Sequence, residues 1–305
     1  MSVSIRRLVP VAGAVLAAGL FASACGSASS TSNGNGSSSS IDGSKAFATS
    51  CANIRAKYTG LPAQITVGTS PDQRPSEYVN PNDPSQIIGL EPQLMSALAQ
   101  CLNFKYTYSS QGFNNVIESV QSGRTPLGVE GVYITSAREQ ILDLVSYRVS
   151  EEEAIVRPDL ASKIHSVTDF CGLTSGVTTG SVELAYLQQL STQCTQAGKP
   201  KITINTYQDT STIALSVADG RLDFSIGAAE LVAPELQVYT GKIKSSIIIP
   251  ELTFDIGVAI SKHDPRLADA VLAGLKAMQA NGLEKPMLKK WGYLPADQVA
   301  AKLYT

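Results

Sequence analysis

From residue 64 onward the chain alternates short β-rich runs with amphipathic helical runs, and that alternation predicts an α/β fold. Its 305 residues are enough for two modest domains. The composition, 43% hydrophobic and 16% charged with a formal net charge of −2, is that of an ordinary globular protein. No basic excess points to nucleic acid, and no acidic run points to a solvating tail.

The N-terminus stands apart from this pattern. Arg6 and Arg7 precede an apolar run over residues 8–21, then Ala22-Ser23-Ala24 and Cys25. A small-residue triplet ending on cysteine resembles the lipobox of a bacterial lipoprotein. It implies a signal peptide over residues 1–24, cleavage before Cys25, diacylation of that thiol, and a place on the outer face of the cell membrane. The Gly/Ser-rich segment that follows cannot build a core, so residues 25–58 read as the lipidated Cys25 and a flexible tether. Removing Arg6 and Arg7 from the 24 basic residues leaves 22 against 26 acidic ones, a mature charge of about −4.

Residues 64–68 are the first strand. A turn-rich loop over residues 70–84 carries Pro71, Pro75, Pro81 and Pro84. Residues 89–101 read as a helix, with Leu90, Leu94, Leu98 and Leu102 on one stripe. Residues 104–108 alternate like a strand, and residues 113–122 form a second amphipathic helix through Val116, Ile117 and Val120. Leu127-Gly128-Val129 is a short buried strand. Residues 138–144 read as a short helix, with Thr135 or Ser136 as N-cap and Ser136-x-x-Glu139 at capping-box spacing. Arg138 in its first turn opposes the macrodipole by roughly 0.3–1 kcal/mol. Free backbone N–H groups, the dipole and a guanidinium converging there make an anion site.

In the second half, Gly176-Val177-Thr178-Thr179-Gly180-Ser181 opens a helix over residues 182–190. Residues 201–207 read as a strand, 211–218 as a helix, 220–227 as a turn and strand, and 245–249 and 254–260 as further strands. The last long helix runs from about residue 265 to 280 and stops at Asn281-Gly282, a suitable C-cap.

Together these stretches resemble the family-3 solute-binding proteins of ABC importers. The likeness rests on Ser122-Gly123-Arg124, on residues 131–138 and Val145-Ser146-Tyr147, on Gly180-Ser181, on Gly220-Arg221-Leu222-Asp223, and on Lys290-Trp291-Gly292. It implies the type II periplasmic-binding-protein-like fold, two α/β lobes with a ligand cleft between them and two crossing strands, here near residues 153–156 and 253–255. It implies a first lobe over residues 59–152, a second over 153–254, and a return to the first over 255–305. By the same resemblance, Arg138 would grip a ligand carboxylate, with Gly131 and Tyr133 beside it, and Thr179, Gly180 and Ser181 would meet that carboxylate from the second lobe. The implied function is capture of an amino acid or related solute by a monomer and delivery to an importer permease. No chemistry or cofactor is required. Trp291 is expected to pack rather than to stack on ligand.

Several positions depart from the family pattern. The residue that usually supplies an aspartate for the ligand's α-ammonium is Ala228. Tyr133 stands in place of a small hydroxyl residue, and Glu130 in place of a small one, where it could meet a cation. Tyr78 and Phe113 remain as wall residues. Without that aspartate an ordinary α-amino acid is not the expected ligand. The reading is a carboxylate-bearing small solute with a less usual remainder, a cation being one option, and with amino acids or their derivatives as the leading class. Some relatives of the fold are dehydratases or lytic transglycosylases, for which Glu130, Glu91 or Glu230 could be the acid, but no acid–base pair of defined spacing and no nucleophile with a histidine partner is present. A solute-sensing lipoprotein is the third reading.

Beyond Cys25 the chain has Cys51, Cys101, Cys171 and Cys194, an even number that favours two disulfides in an exported protein. Four cysteines allow three pairings; pairing neighbours keeps each bridge within one lobe. Two histidines, His165 and His263, and no paired C-x-x-C spacing leave no metal site in view.

Overall fold

The computed structural model describes residues 45–305, so the signal segment and the lipidation of Cys25 lie outside the described residues. The first element is α1 (Lys45–Lys57), which buries Phe47 and Cys51. Ile54 and Tyr58 pack against the same core, completing a helical stripe of spacing four, three and four. This corrects the tether read over residues 25–58. Its final stretch is a helix, and a disulfide from Cys51 to Cys101 pins it to the core.

After β1 (Gln64–Thr69) comes a second correction. The expected loop over residues 70–84 holds a small antiparallel sheet of β2 (Asp72–Gln73), β3 (Glu77–Asn80) and β4 (Asp83–Ile88). Its prolines fall where strands tolerate them: Pro75 and Pro81 in the turns, and Pro84 on the edge strand β4. Next, α2 (Leu90–Leu102), β5 (Lys105–Ser110) and α3 (Phe113–Gln121) follow the sequence reading closely, while β6 (Leu127–Tyr133) runs four residues beyond the strand read over 127–129. All four leucines of the α2 stripe are buried.

The helix expected over residues 138–144 is shorter. It is the single turn α4 (Ser136–Glu139), capped by Thr135, whose Oγ1 accepts from the Arg138 N–H at 3.3 Å. Residues from Asp143 onward belong instead to β7 (Asp143–Val156), because Leu144, Val145 and Tyr147 bury as sheet residues. One turn carries little macrodipole, so the anion-binding character of this corner resides in the guanidinium.

The remaining elements are β8 (Thr174–Thr178), α5 (Val182–Gln196), β9 (Thr203–Tyr207), α6 (Thr210–Ala218), β10 (Phe224–Ala228), α7 (Ala229–Val238), β11 (Lys244–Ile260), α8 (Pro265–Ala280), α9 (Glu284–Lys290) and β12 (Leu303–Tyr304). Helix α7 forms despite the internal Pro234. One element differs from the reading: the two strands expected over residues 245–249 and 254–260 are one, β11, whose register shifts absorb Pro250.

The main sheet runs β5-β1-β6-β11-β7-β10-β8-β9, with β12 added on β7. Pairs are parallel within β5-β1-β6 and within β10-β8-β9, and antiparallel through β11 and β7 at the middle. Those two long strands therefore pass from one α/β lobe into the other. Residues 152–156 of β7 already pair with β10, so the passage begins slightly before residues 153–156.

Each lobe has its own core. The first gathers Leu94, Leu98, Val258 and Leu275 from α2, β11 and α8. There Gly274 lets α8 approach closely, since a Cβ would meet Leu98 Cδ1 at 2.6 Å. The second centres on Phe170 and Phe224, stacked with centroids 4.1 Å apart. The second disulfide, Cys171–Cys194, ties α5 into that core. Both bridges thus join sequence neighbours, one of the three pairings open to the sequence. Among the described residues no helix is long and apolar enough to cross a membrane.

Candidate ligand-binding cleft

Where the lobes meet, a cavity of about 80 Å³ is lined by residues of both. From the first lobe come Gln73, Phe113, Glu130, Gly131, Tyr133 and Arg138. Arg138 is 7% exposed. Its Nη1 donates to the Tyr133 carbonyl at 2.9 Å, and its Nη2 reaches across the cleft to the Gly180 carbonyl at 3.4 Å. The guanidinium lies 5.1 Å from the Phe113 ring centroid. Burial lowers its pKa from the ordinary value, with Glu183 acting in the opposite direction. No carboxylate pairs with it among the described residues, so the cleft holds a desolvated cation with unused donors.

Facing it is the start of α5. Ser181 occupies the N-cap position, yet its hydroxyl makes no capping bond and is buried without a partner among the described residues. The preceding turn explains why. The N–H and hydroxyl of Thr179 both donate to the Tyr207 carbonyl, at 2.9 and 3.1 Å. Gly180 takes φ +79°, where a Cβ would strike Asn114 Oδ1 at 2.4 Å. That turn leaves Thr178 and Ser181 in the cavity wall, whereas Thr179 and Gly180, expected there, do not line it.

Tyr133 is also in the wall, but its phenol is committed. It donates to Glu152 while its ring stacks on Phe254, centroids 5.2 Å apart. Burial pushes the Tyr133 phenol and the Glu152 carboxyl well above their ordinary pKa values, the latter with help from neighbouring Glu183. Gly131 adopts φ +54° and donates its N–H to Glu91 Oε1 at 2.8 Å. Glu130 faces the cavity, accepting from the Ser70 N–H and, at 3.1 Å, from Gln73 Nε2. Burial, then Asp72, hold its carboxyl well above the usual range. Ala228 ends β10 in the wall and offers a methyl group only.

Tyr78 is not in the wall, contrary to expectation. The β3 strand turns it outward, edge-on to Trp291 at 6.4 Å and under Arg74 at 4.5 Å. Trp291 packs there, its Nε1 donating to Gln93 Oε1 at 2.8 Å.

The cavity also contains residues that sequence reasoning missed. Glu183, two positions past Ser181, and Glu153 both line it, as does Glu235 on α7, beside Ile155, Ile213, Leu231 and Val232. Glu183 could have been found from its place in the Gly-Ser turn; Glu235 had no local signal. The acids Glu130, Glu153, Glu183 and Glu235 outnumber the single base Arg138. Among the described residues no group of three His, Cys, Asp or Glu side chains could hold a metal ion.

Residues 65–293 match the profile of the bacterial extracellular solute-binding proteins, family 3. The arginine-binding protein ArgT of Corynebacterium glutamicum is 29% identical over 160 residues, 52% of either chain. The arginine-binding extracellular protein ArtP of Bacillus subtilis is 26% identical over 232 residues, 75% of this chain and 86% of ArtP. In fold, the chain resembles an ancestral arginine-binding protein bound to arginine, with a TM-score of 0.69 at 20% identity, over 76% of this chain and 99% of that one. The chain belongs to family 3 of the bacterial extracellular solute-binding proteins, with their two-lobed type II fold.

Proposed function

We propose that this protein captures an amino acid of net positive charge by closing its lobes on it, and delivers it to an ABC importer. One observation carries the reading: the buried Arg138 guanidinium and the Ser181 hydroxyl line one cavity, and among the described residues the first has no carboxylate and the second no hydrogen-bond partner. A ligand carboxylate would take both, displacing the Gly180 carbonyl from Arg138 Nη2. Glu183, which lines the cavity and acts electrostatically on Arg138, would then take the α-ammonium that Ala228 cannot serve. The excess of acids in the wall supports a cationic ligand, as do relatives named for binding arginine. A ligand touching both lobes favours the closed state because it makes both sets of contacts only there.

The same reading has a signal peptide over residues 1–24, a lipid anchor on Cys25 at the extracytoplasmic face, a first lobe over residues 59–152 with 255–305 to which α1 is added, and a second over 153–254. It makes the protein a monomer and a binder rather than an enzyme. Thermal melting against arginine, lysine, ornithine, histidine, glutamate and glutamine tests it. A ligand at 100 times its Kd adds about 2.7 kcal/mol of stability. The expected result is a rise with the cationic amino acids. A rise with glutamate alone, or with none of the six, would contradict the reading.

A further inference from the structure

The cavity does not stop at Arg138. Within the second lobe its wall is aliphatic, formed by Ile155, Ile213, Leu231 and Val232. Glu235 lies one helical turn beyond Leu231 on α7, on the same face, and lines the same cavity. A carboxyl group beside four aliphatic side chains is costly unless something pairs with it.

The other acids of the wall have protein partners. Glu130 accepts from Ser70 and Gln73, and Glu153 accepts from the Ser245 hydroxyl. Glu183 is in hydrogen-bonding contact with the Glu152 carboxyl. Glu235 alone among them has neither hydrogen bond nor ion pair among the described residues. Burial, with nothing opposing it, pushes its carboxyl up to about 8.

The floor of the cavity leaves room to reach it. Gly227 and Ala228 both line the wall, and a Cβ built on Gly227 would meet no atom within 4 Å. A longer side chain at either position would occupy that space. The site thus offers a cation at one end, aliphatic walls, and an uncompensated acid.

We infer that Glu235 receives a cationic group borne on an aliphatic chain of the ligand, so that selectivity for a positively charged side chain is read in the second lobe. This rests on Arg138 being the carboxylate anchor. Arginine and citrulline have the same carboxylate, α-amine and methylene chain, and differ in the charge of the terminal group. They are therefore the probes.

Isothermal titration calorimetry on the full-length chain in detergent micelles, with the parent, E235Q, E235D and R138A, tests the inference. The parent is expected to prefer arginine over citrulline by about 100-fold, as an ion-paired buried site should. E235Q, with its melting temperature retained, should lose most of that preference through arginine, with citrulline within about threefold of the parent. E235D, which keeps the charge, should retain a preference. R138A should weaken both ligands alike. An E235Q protein that keeps the parent's preference while R138A loses both ligands overturns the role of Glu235 and leaves the anchor standing. An R138A protein that binds both ligands as the parent does overturns the anchor, and with it the inference. A parent that does not distinguish the two overturns the inference directly.

Discussion

Where the sheet passes from one lobe to the other, Arg148 of β7 meets Glu230 of α7, Nη1 to Oε1 at 2.5 Å. The pair is held in place rather than solvated. The Arg148 side chain is 2% exposed, Ser150 donates to the other Glu230 oxygen at 2.7 Å, and the Tyr293 ring lies 4.9 Å from the guanidinium. A second contact joins the lobes nearby, from the Thr210 N–H at the start of α6 to Asp72 Oδ2 at 2.8 Å. With the Arg138–Gly180 contact, these polar links draw the lobes together around the cavity.

Breaking the buried pair from one side strands a charge. R148M or E230A should therefore destabilise the protein by about 3–5 kcal/mol. Chemical denaturation of each single variant and of the double variant checks this. The double variant should lose less than the sum, because neither charge is then left alone.

The two disulfides close loops of different length, with sequence separations of 50 and 23 residues. Loop entropy then contributes about 4 kcal/mol for Cys51–Cys101 and about 3 kcal/mol for Cys171–Cys194. Replacing Cys51 and Cys101 by serine should lower the melting temperature more than replacing the second pair, and should free α1 from the core. Alkylation of unreduced, denatured protein should label none of these four cysteines; mass spectrometry after digestion reads this directly.

Glu284 gives stability a pH dependence. It is fully buried; its Oε2 accepts from Gln298 Nε2 at 2.9 Å, and its Oε1 has no partner among the described residues. Burial pushes its carboxyl from 4.5 up to about 7. The folded state therefore holds this proton more tightly than the unfolded state. Its contribution is most favourable below about pH 4.5 and is lost as pH rises to about 7. Denaturation at pH 5 and pH 8 should show E284Q losing less stability over that interval than the parent.

Cys25→Ser should release the protein from membranes, since the diacylated thiol is the proposed anchor. Fractionation of cells carrying either form checks it. Retention of the variant in the membrane fraction would count against lipid anchoring.

The legible parts of the sequence were those with local signals. The α2 leucines, the Val116 and Val120 face of α3 and the Asn281-Gly282 stop of α8 each declare themselves within a few turns of chain. Arg138 and Ser181 were legible through motif order, and both reach the cleft. Helix α1 was missed although Phe47, Cys51, Ile54 and Tyr58 carry its stripe, because the Gly/Ser-rich run before it set the reading. The strand β7 overrode the helical pattern at residues 143–144, since pairing between β11 and β12 outweighs the propensity of one turn. What stayed hidden was tertiary. Nothing near Tyr133 foretells that Glu152 takes its phenol, and nothing near Glu235 foretells Ile155 and Ile213.

Arg138 is the central contact of the proposed site, and calorimetric titration of R138A with arginine tests it most directly. Losing charge-assisted hydrogen bonds to a carboxylate should weaken binding by about 100-fold or more, which is about 2.7 kcal/mol, with the melting temperature of the unliganded protein retained. Arginine affinity equal to that of the parent would contradict the carboxylate anchor and the function built on it.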